Sequence, residues 1–169
     1  MKCLVCSVPY RLHPAPAEAR ESTRPAASSP GSSAYTAYEL ARLRSLLGGA
    51  GHDVAVADIA PAGRAKVVEL LHRTAPDVVV VDASSFQDHS ERHFLLDFFH
   101  LVKSILPGAR TVWAGRDARA LADFALTHST VVDVVLREES DSVLPGLLAL
   151  WEVRGLDAPL WDIPGVAFP

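Results

Sequence analysis

The chain has 169 residues, of which 49% are apolar and 21% charged, and its formal net charge is −4. One domain with a sizeable core is the simplest organisation at that length. The charge balance gives no electrostatic case for nucleic-acid binding, and no apolar run approaches the roughly 18 residues of a membrane span. Neither nucleic acid nor membrane is therefore expected as a partner.

The opening MKCLVCSVPY reads as a first strand, about Lys2–Pro9. Its apolar part is too short and mixed for a signal peptide, so the expected location is cytoplasmic. Cys3 and Cys6 lie within this strand, and their odd spacing puts them on opposite faces. That predicts two buried, reduced thiols rather than a redox pair, which would sit at a helix N-terminus. There is no second cysteine pair to complete a zinc site.

A Pro-, Ser- and Ala-rich loop over residues 10–33 follows, long enough to be functional or disordered. A helix is predicted over Tyr35–Leu47, with Leu40, Leu43 and Leu47 on one face, and GGAGHD ends it with glycine at the cap. DVAVADI, Asp53–Ile59, is the second strand. Ala65–Arg73 is a short helix that turns Val67, Leu70 and Leu71 inward. Val78–Val81 is fully apolar, as expected of a strand buried on both faces. Ser90–Leu106 is a helix with the stripe Leu95, Phe98, Phe99, Val102, Ile105 and Leu106. RTVWAG is the fourth strand, Ala118–His128 the fourth helix, VVDVVL the fifth strand and Ser142–Glu152 the fifth helix. Residues 1–152 are thus expected to form the domain, and 153–169 an extended tail or a linker to a missing domain.

Five βα units with short connections predict an open parallel sheet with helices on both sides. The common five-strand solution is the flavodoxin-like, Rossmann-like doubly wound order 2-1-3-4-5, with ligands bound beyond the carboxyl ends of the strands near the switch point between strands one and three. The turns there carry small residues: Ala83, Ser84 and Ser85 in the third loop, Ala114 and Gly115 in the fourth. Small residues let a ligand approach the backbone. A phosphate-accepting receiver is not supported. Asp82 fits its third-strand acid, but Val8-Pro9-Tyr10 supplies no acid after the first strand, and Arg137 stands where the Lys belongs. No phosphate-binding glycine motif is present.

The order of these features resembles the N-terminal cobalamin-binding domain of cobalamin-dependent radical SAM enzymes. The residues that carry the likeness are AYTAYELARLRSLLGGAGHDVAVADI over 34–59, APDVVVVDASS over 75–85, LVKSILPGART over 101–111, Ala114-Gly115, DVVLREESDSVLPGLLAL over 133–150, and IPGVAF over 163–168. The resemblance implies a corrinoid, methylcobalamin or hydroxocobalamin, held by Pro9, Tyr10, Ser84, Ser85, Phe86, Ala114, Gly115, Arg116, Arg137, Glu138 and Glu139. It implies methyl transfer to a substrate activated by a radical SAM domain or a separate radical SAM subunit. The three-cysteine motif of such a partner is absent, so no iron–sulfur cluster is expected in this chain, and the chain is not expected to be catalytic alone. Ala114, Glu138 and Ser140 replace glycines of the family pattern, and Asp141 replaces its second Glu. These departures motivate the alternative of a scaffold or interaction protein that keeps the fold without cobalamin. A third reading is a small flavodoxin-like enzyme or regulator with another ligand.

His13 lies in the loop where other cobalamin proteins place a cobalt ligand in Asp-x-His-x-x-Gly. Arg11 stands at the Asp position and Pro16 at the Gly position, so the partner that orients the imidazole is missing. His13 is not expected to bind metal. His89, His93 and Asp97 recur every four residues but lie opposite the apolar stripe, so a solvent face is expected. Asp133 interrupts an apolar strand and is expected to cap a neighbouring helix or ladder. Trp113, Trp151 and Trp161 are expected in packing, with Trp113 the best placed to meet a ligand.

Overall fold

The computed structural model describes residues 1–7, 30–59, 63–83 and 90–169. The elements are β1 (Lys2–Cys6), α1 (Pro30–Gly49), β2 (Asp53–Ala57), α2 (Arg64–Thr74), β3 (Val78–Asp82), α3 (Ser90–Ile105), β4 (Arg110–Ala114), α4 (Arg116–His128), β5 (Val134–Leu136), α5 (Ser140–Arg154) and β6 (Val166–Ala167). The strands form one sheet in the order β2-β1-β3-β4-β5-β6. The first five are parallel in the flavodoxin-like order predicted, and β6 adds antiparallel to β5.

The strand sequences explain the layering. Val78 to Val81 are all 0% exposed, so β3 needs cover on both faces. Val79 and Val81 pack with Leu4, Cys6, Val67, Leu71, Phe98, Phe99 and Ala122, which puts α2, α3 and α4 on one face. Val78 and Val80 pack with Cys3, Val5, Leu40, Leu43, Leu47, Leu144 and Leu147, which puts α1 and α5 on the other. The two cysteines fall on opposite faces as their spacing requires, and both are free and buried. Burial raises the Cys3 thiol to about 12 and the Cys6 thiol further, so neither forms a thiolate at neutral pH.

Helix ends differ from the sequence expectation where the signal is weak. Helix α1 begins at Pro30, five residues before the expected Tyr35. Proline at a first helical position has its φ preset and loses no bond there, while the Gly-Ser-Ser that follows hides the start from any propensity argument. Helix α5 runs two residues beyond the expected range at each end, with Glu139 as its extended N-cap and Pro145 inside. Strand β2 stops at Ala57, two residues short of Ile59. Residues 155–169 run through successive turns to the short strand β6 rather than as an extended tail, and they are docked. Leu160 is buried, Ile163, Val166 and Phe168 pack on the α1/α5 side, and β6 aligns Ala167 with Val135 and Val166 with Leu136.

Asp133 ties the amino end of the sheet together. Its carboxylate accepts from Lys103 Nζ at 2.6 Å, Arg110 at 3.1 Å and the Thr111 amide at 2.7 Å. Lys103 also donates to the Ala109 carbonyl at 2.8 Å, and Arg110 Nε to the Leu156 carbonyl at 3.0 Å. One carboxylate thereby links the end of α3, the start of β4 and the entry to β5, and through Arg110 it reaches the tail. Burial pushes the Asp133 carboxyl up, but the bonds from Lys103 and Thr111 outweigh it and hold the carboxyl below the usual carboxylate range. A folded-state pKa below the unfolded one contributes stability that is complete above the unfolded value and lost as pH falls through the folded value. Asp133→Asn should therefore lower unfolding free energy at neutral pH by about 2 kcal/mol. In urea titrations that deficit should shrink as pH drops below about 4, the unfolded-state value, and on through the lower folded-state value. A deficit independent of pH would mean that the charge of Asp133 does not carry the effect.

Candidate functional site

The register of the parallel strands sets which residues meet at the carboxyl edge. Cys6 aligns with Ala57 on β2 and Val81 on β3, so the next positions, Ser7, Asp58 and Asp82, form one row across β1, β2 and β3. Asp82 in turn aligns with Ala114. Cys6, Ala57 and Val81 face α2 and α3, so strand alternation turns this row toward the α1/α5 side. Ser7 and Asp82 are buried. The Ser7 hydroxyl donates to Asp58 Oδ1 at 2.6 Å and accepts the Ile59 amide at 3.1 Å, while the Ser7 amide extends the ladder to the Ala57 carbonyl at 3.2 Å. A cavity of about 670 Å³ opens beside Asp58, between α1 and β2, lined by Ala37, Ala41, Arg44, Ser45, Gly48 and Val56 among others. Ala37, Ala41, Ser45 and Gly48 give that face of α1 its short side chains, with Leu40 and Arg44 beside them.

The fourth turn is built from small residues. The Ala83 amide donates to the Ala114 carbonyl at 2.8 Å, carrying the β3–β4 ladder past the strand ends. Ala83 and Ala114 are almost fully buried. Gly115 caps α4 with φ 100° and ψ −179°, a conformation that side chains other than glycine's disfavour. Arg116 is exposed at the first turn of α4.

The fifth turn is a junction of charged ties. The Arg137 guanidinium pairs with Asp123 and the Glu139 carboxylate with Arg119, both on α4; Asp141 pairs with Arg42 on α1. The Glu139 carbonyl accepts the Ser142 hydroxyl at 2.8 Å, starting α5. The Arg137 amide donates to the Gly165 carbonyl of the tail at 2.7 Å. The ion pairs are solvent-exposed, each worth on the order of 0.5 kcal/mol, so they leave Arg137 and Glu139 able to exchange partners.

Of the residues expected at the site, Ala114, Gly115, Arg116, Arg137, Glu138 and Glu139 come together at the adjacent ends of β4 and β5. Pro9, Tyr10, His13, Ser84, Ser85, Phe86 and His89 lie outside the described residues. Trp113 is buried in the α2/α3/α4 core and does not reach the edge, and Trp151 is likewise buried; Trp161 is 79% exposed, its ring edge-on to Phe168 at 4.8 Å. Asp97 is exposed, as the helical spacing implies. Among the described residues no group of three or more His, Cys, Asp or Glu side chains could hold a metal ion, and no helix is long and apolar enough to cross a membrane. The Ser7–Asp58 pair was not foreseen as part of the site. Its signal is present in the sequence, as the first polar residue after each of the first two strands, but only parallel register shows that they meet.

Comparison with protein-family models finds no match, and comparison with curated proteins finds none. The chain is defined by its architecture: a doubly wound, flavodoxin-like α/β domain with a sixth antiparallel strand.

The Ser7 hydroxyl serves two partners at a buried position, so removing it strands the Ile59 amide. Ser7→Ala should cost about 1 kcal/mol, measured as a lower urea midpoint at unchanged slope. An unchanged midpoint would mean that water replaces the hydroxyl and that the edge is open there.

Proposed function

We propose that this chain is a corrinoid-binding module that holds cobalamin over the carboxyl edge of its sheet and works with a radical SAM partner, as a domain or a separate subunit. The observation that carries the reading is the edge itself: a 2-1-3-4-5 parallel sheet whose third and fourth strands end in the small residues Ala83, Ala114 and positive-φ Gly115. Small residues let a ligand approach the backbone, and α/β sheets bind their ligands at this edge. The order of motifs along the chain points the same way. The cavity between α1 and β2, about 670 Å³, is of the size that ligand pockets occupy.

The corrin periphery presents amide N–H and C=O groups; at this edge Asp58, bonded by Ser7, and Asp82 stand on one side and Arg116 and Arg137, the latter paired with Asp123, on the other, so a corrinoid would have to exchange with existing partners. Among the described residues His52, His72 and His128 lie at the opposite, amino edge and His100 faces outward on α3, while His93 belongs to the first turn of α3, which follows the third loop at the carboxyl edge. When bound, a corrinoid supplies methyl-transfer chemistry, while the protein supplies position and environment.

A scaffold that keeps the fold without the ligand is the second reading. The fifth turn favours it, since Arg137, Glu139 and Asp141 are all engaged by residues of α4 and α1.

Purified protein incubated with hydroxocobalamin or methylcobalamin, then desalted, separates the two. Retention of one corrinoid per chain, seen in the visible absorption spectrum, is the expected result. A colourless protein from both incubations would sink the corrinoid reading and leave the scaffold.

A further inference from the structure

The tail does more than end the chain. Strand β6 places Gly165 directly against the fifth turn. The Gly165 carbonyl accepts the Arg137 amide at 2.7 Å, the first bond beyond the β5–β6 ladder. Gly165 has φ 77°, and a Cβ added there would lie 2.5 Å from Glu138 Cγ, 2.8 Å from Glu138 Cβ and 3.0 Å from Val143 Cγ2. The tail backbone therefore touches Glu138 so closely that only glycine fits. The other restraints on the turn are the exposed ion pairs of Arg137, Glu139 and Asp141, which are weak individually. Behind the turn Ser140 and Val143 are buried at the start of α5. On the far side of β6 the tail is held by Leu160, Ile163 and Phe168 packing onto the α1/α5 core, and by Arg110 bonded to the Leu156 carbonyl.

We propose that residues 163–168 form a strap that sets the conformation of the fifth turn, with Gly165 as the positioning residue, so that docking of the tail and binding of ligand at Arg137–Glu139 are one linked equilibrium. The ligand part rests on the corrinoid reading above; the strap itself does not. A docked strap fixes the Arg137 amide and the path of Glu138, and a lifted strap frees both. By linkage, whatever ligand uses the ordered turn must also hold the tail down, by the same factor. Anything that pulls on the tail would change affinity at the edge without touching the ligand.

The test is hydrogen exchange by mass spectrometry on the full chain, with Gly165→Ala as the variant. Gly51→Ala is the control: Gly51 also has positive φ, 90°, but a Cβ there meets nothing within 4 Å, and it lies in the α1–β2 turn at the opposite edge. Gly165→Ala should speed exchange over residues 134–142 by about tenfold, with β1 and β3 unchanged and Gly51→Ala leaving 134–142 as in wild type. Equal exchange over 134–142 in wild type and Gly165→Ala overturns the strap. The second arm is hydroxocobalamin titration of the same proteins. A roughly tenfold weaker affinity for Gly165→Ala and none for Gly51→Ala supports the linkage. Equal affinities overturn it and leave the corrinoid reading standing. If wild type itself retains no corrinoid, that reading fails and the exchange arm alone decides the strap. Should Gly165→Ala not fold, wild type answers by reciprocity: saturating hydroxocobalamin must slow exchange over 160–169, and unchanged exchange there overturns the linkage.

Discussion

Everything in this fold follows from a strand that cannot face water. Val78, Val79, Val80 and Val81 have no exposed surface on either side of the sheet. Each buried valine contributes about 2 kcal/mol relative to exposure, and that gain requires two helix layers. Helices α2, α3 and α4 supply one and α1 and α5 the other. With β3 in the middle, β1 and β4 must flank it, and the reversal of strand order between β1 and β3 opens the crevice where such sheets bind ligands. The candidate site is thus a by-product of burying one apolar run.

The two edges of the sheet are built differently. At the amino edge, Asp133 gathers Lys103, Arg110 and Thr111 into a partly buried cluster that joins helix, strands and tail. Its bonds are charge-assisted and sheltered, the kind that resist disruption. At the carboxyl edge the polar groups are arranged in pairs: Ser7 with Asp58, Arg137 with Asp123, Arg119 with Glu139. The last two are exposed and of little energetic weight.

The tail joins the two edges. Arg110, part of the Asp133 cluster, holds the Leu156 carbonyl at 3.0 Å; ten residues on, β6 pairs with β5, and Gly165 meets the turn at Arg137 and Glu138. The charged run at the end of the fifth strand is explained in these terms. Arg137, Glu139 and Asp141 reach out to α4 and α1, while Glu138 abuts Gly165 of the tail. Glu138 is accommodated because Gly165 leaves room for it, and Ser140 buries at the start of α5.

The alternation of strand and helix, the doubly buried third strand, and the opposite faces of Cys3 and Cys6 are local or near-local properties. Hydrophobic period determines them, so the sequence by itself was sufficient; the order of the five parallel strands is expected only as the common solution for five βα units. The sequence also located Ala114, Gly115 and the charged turn at strand ends, since turns follow wherever apolar runs stop. It did not show that α1 starts at Pro30, because Gly-Ser-Ser gives no helical signal. Nor did it show the partners of Asp133, the Ser7–Asp58 bond, or the tail's return as a sixth strand over Glu138. Those depend on register and on contacts between residues far apart in the chain: Asp133 lies 30 residues from Lys103, and Ser7 lies 51 from Asp58. No periodicity encodes such pairings; they exist only once the sheet has set its strands side by side and the helices have closed over them.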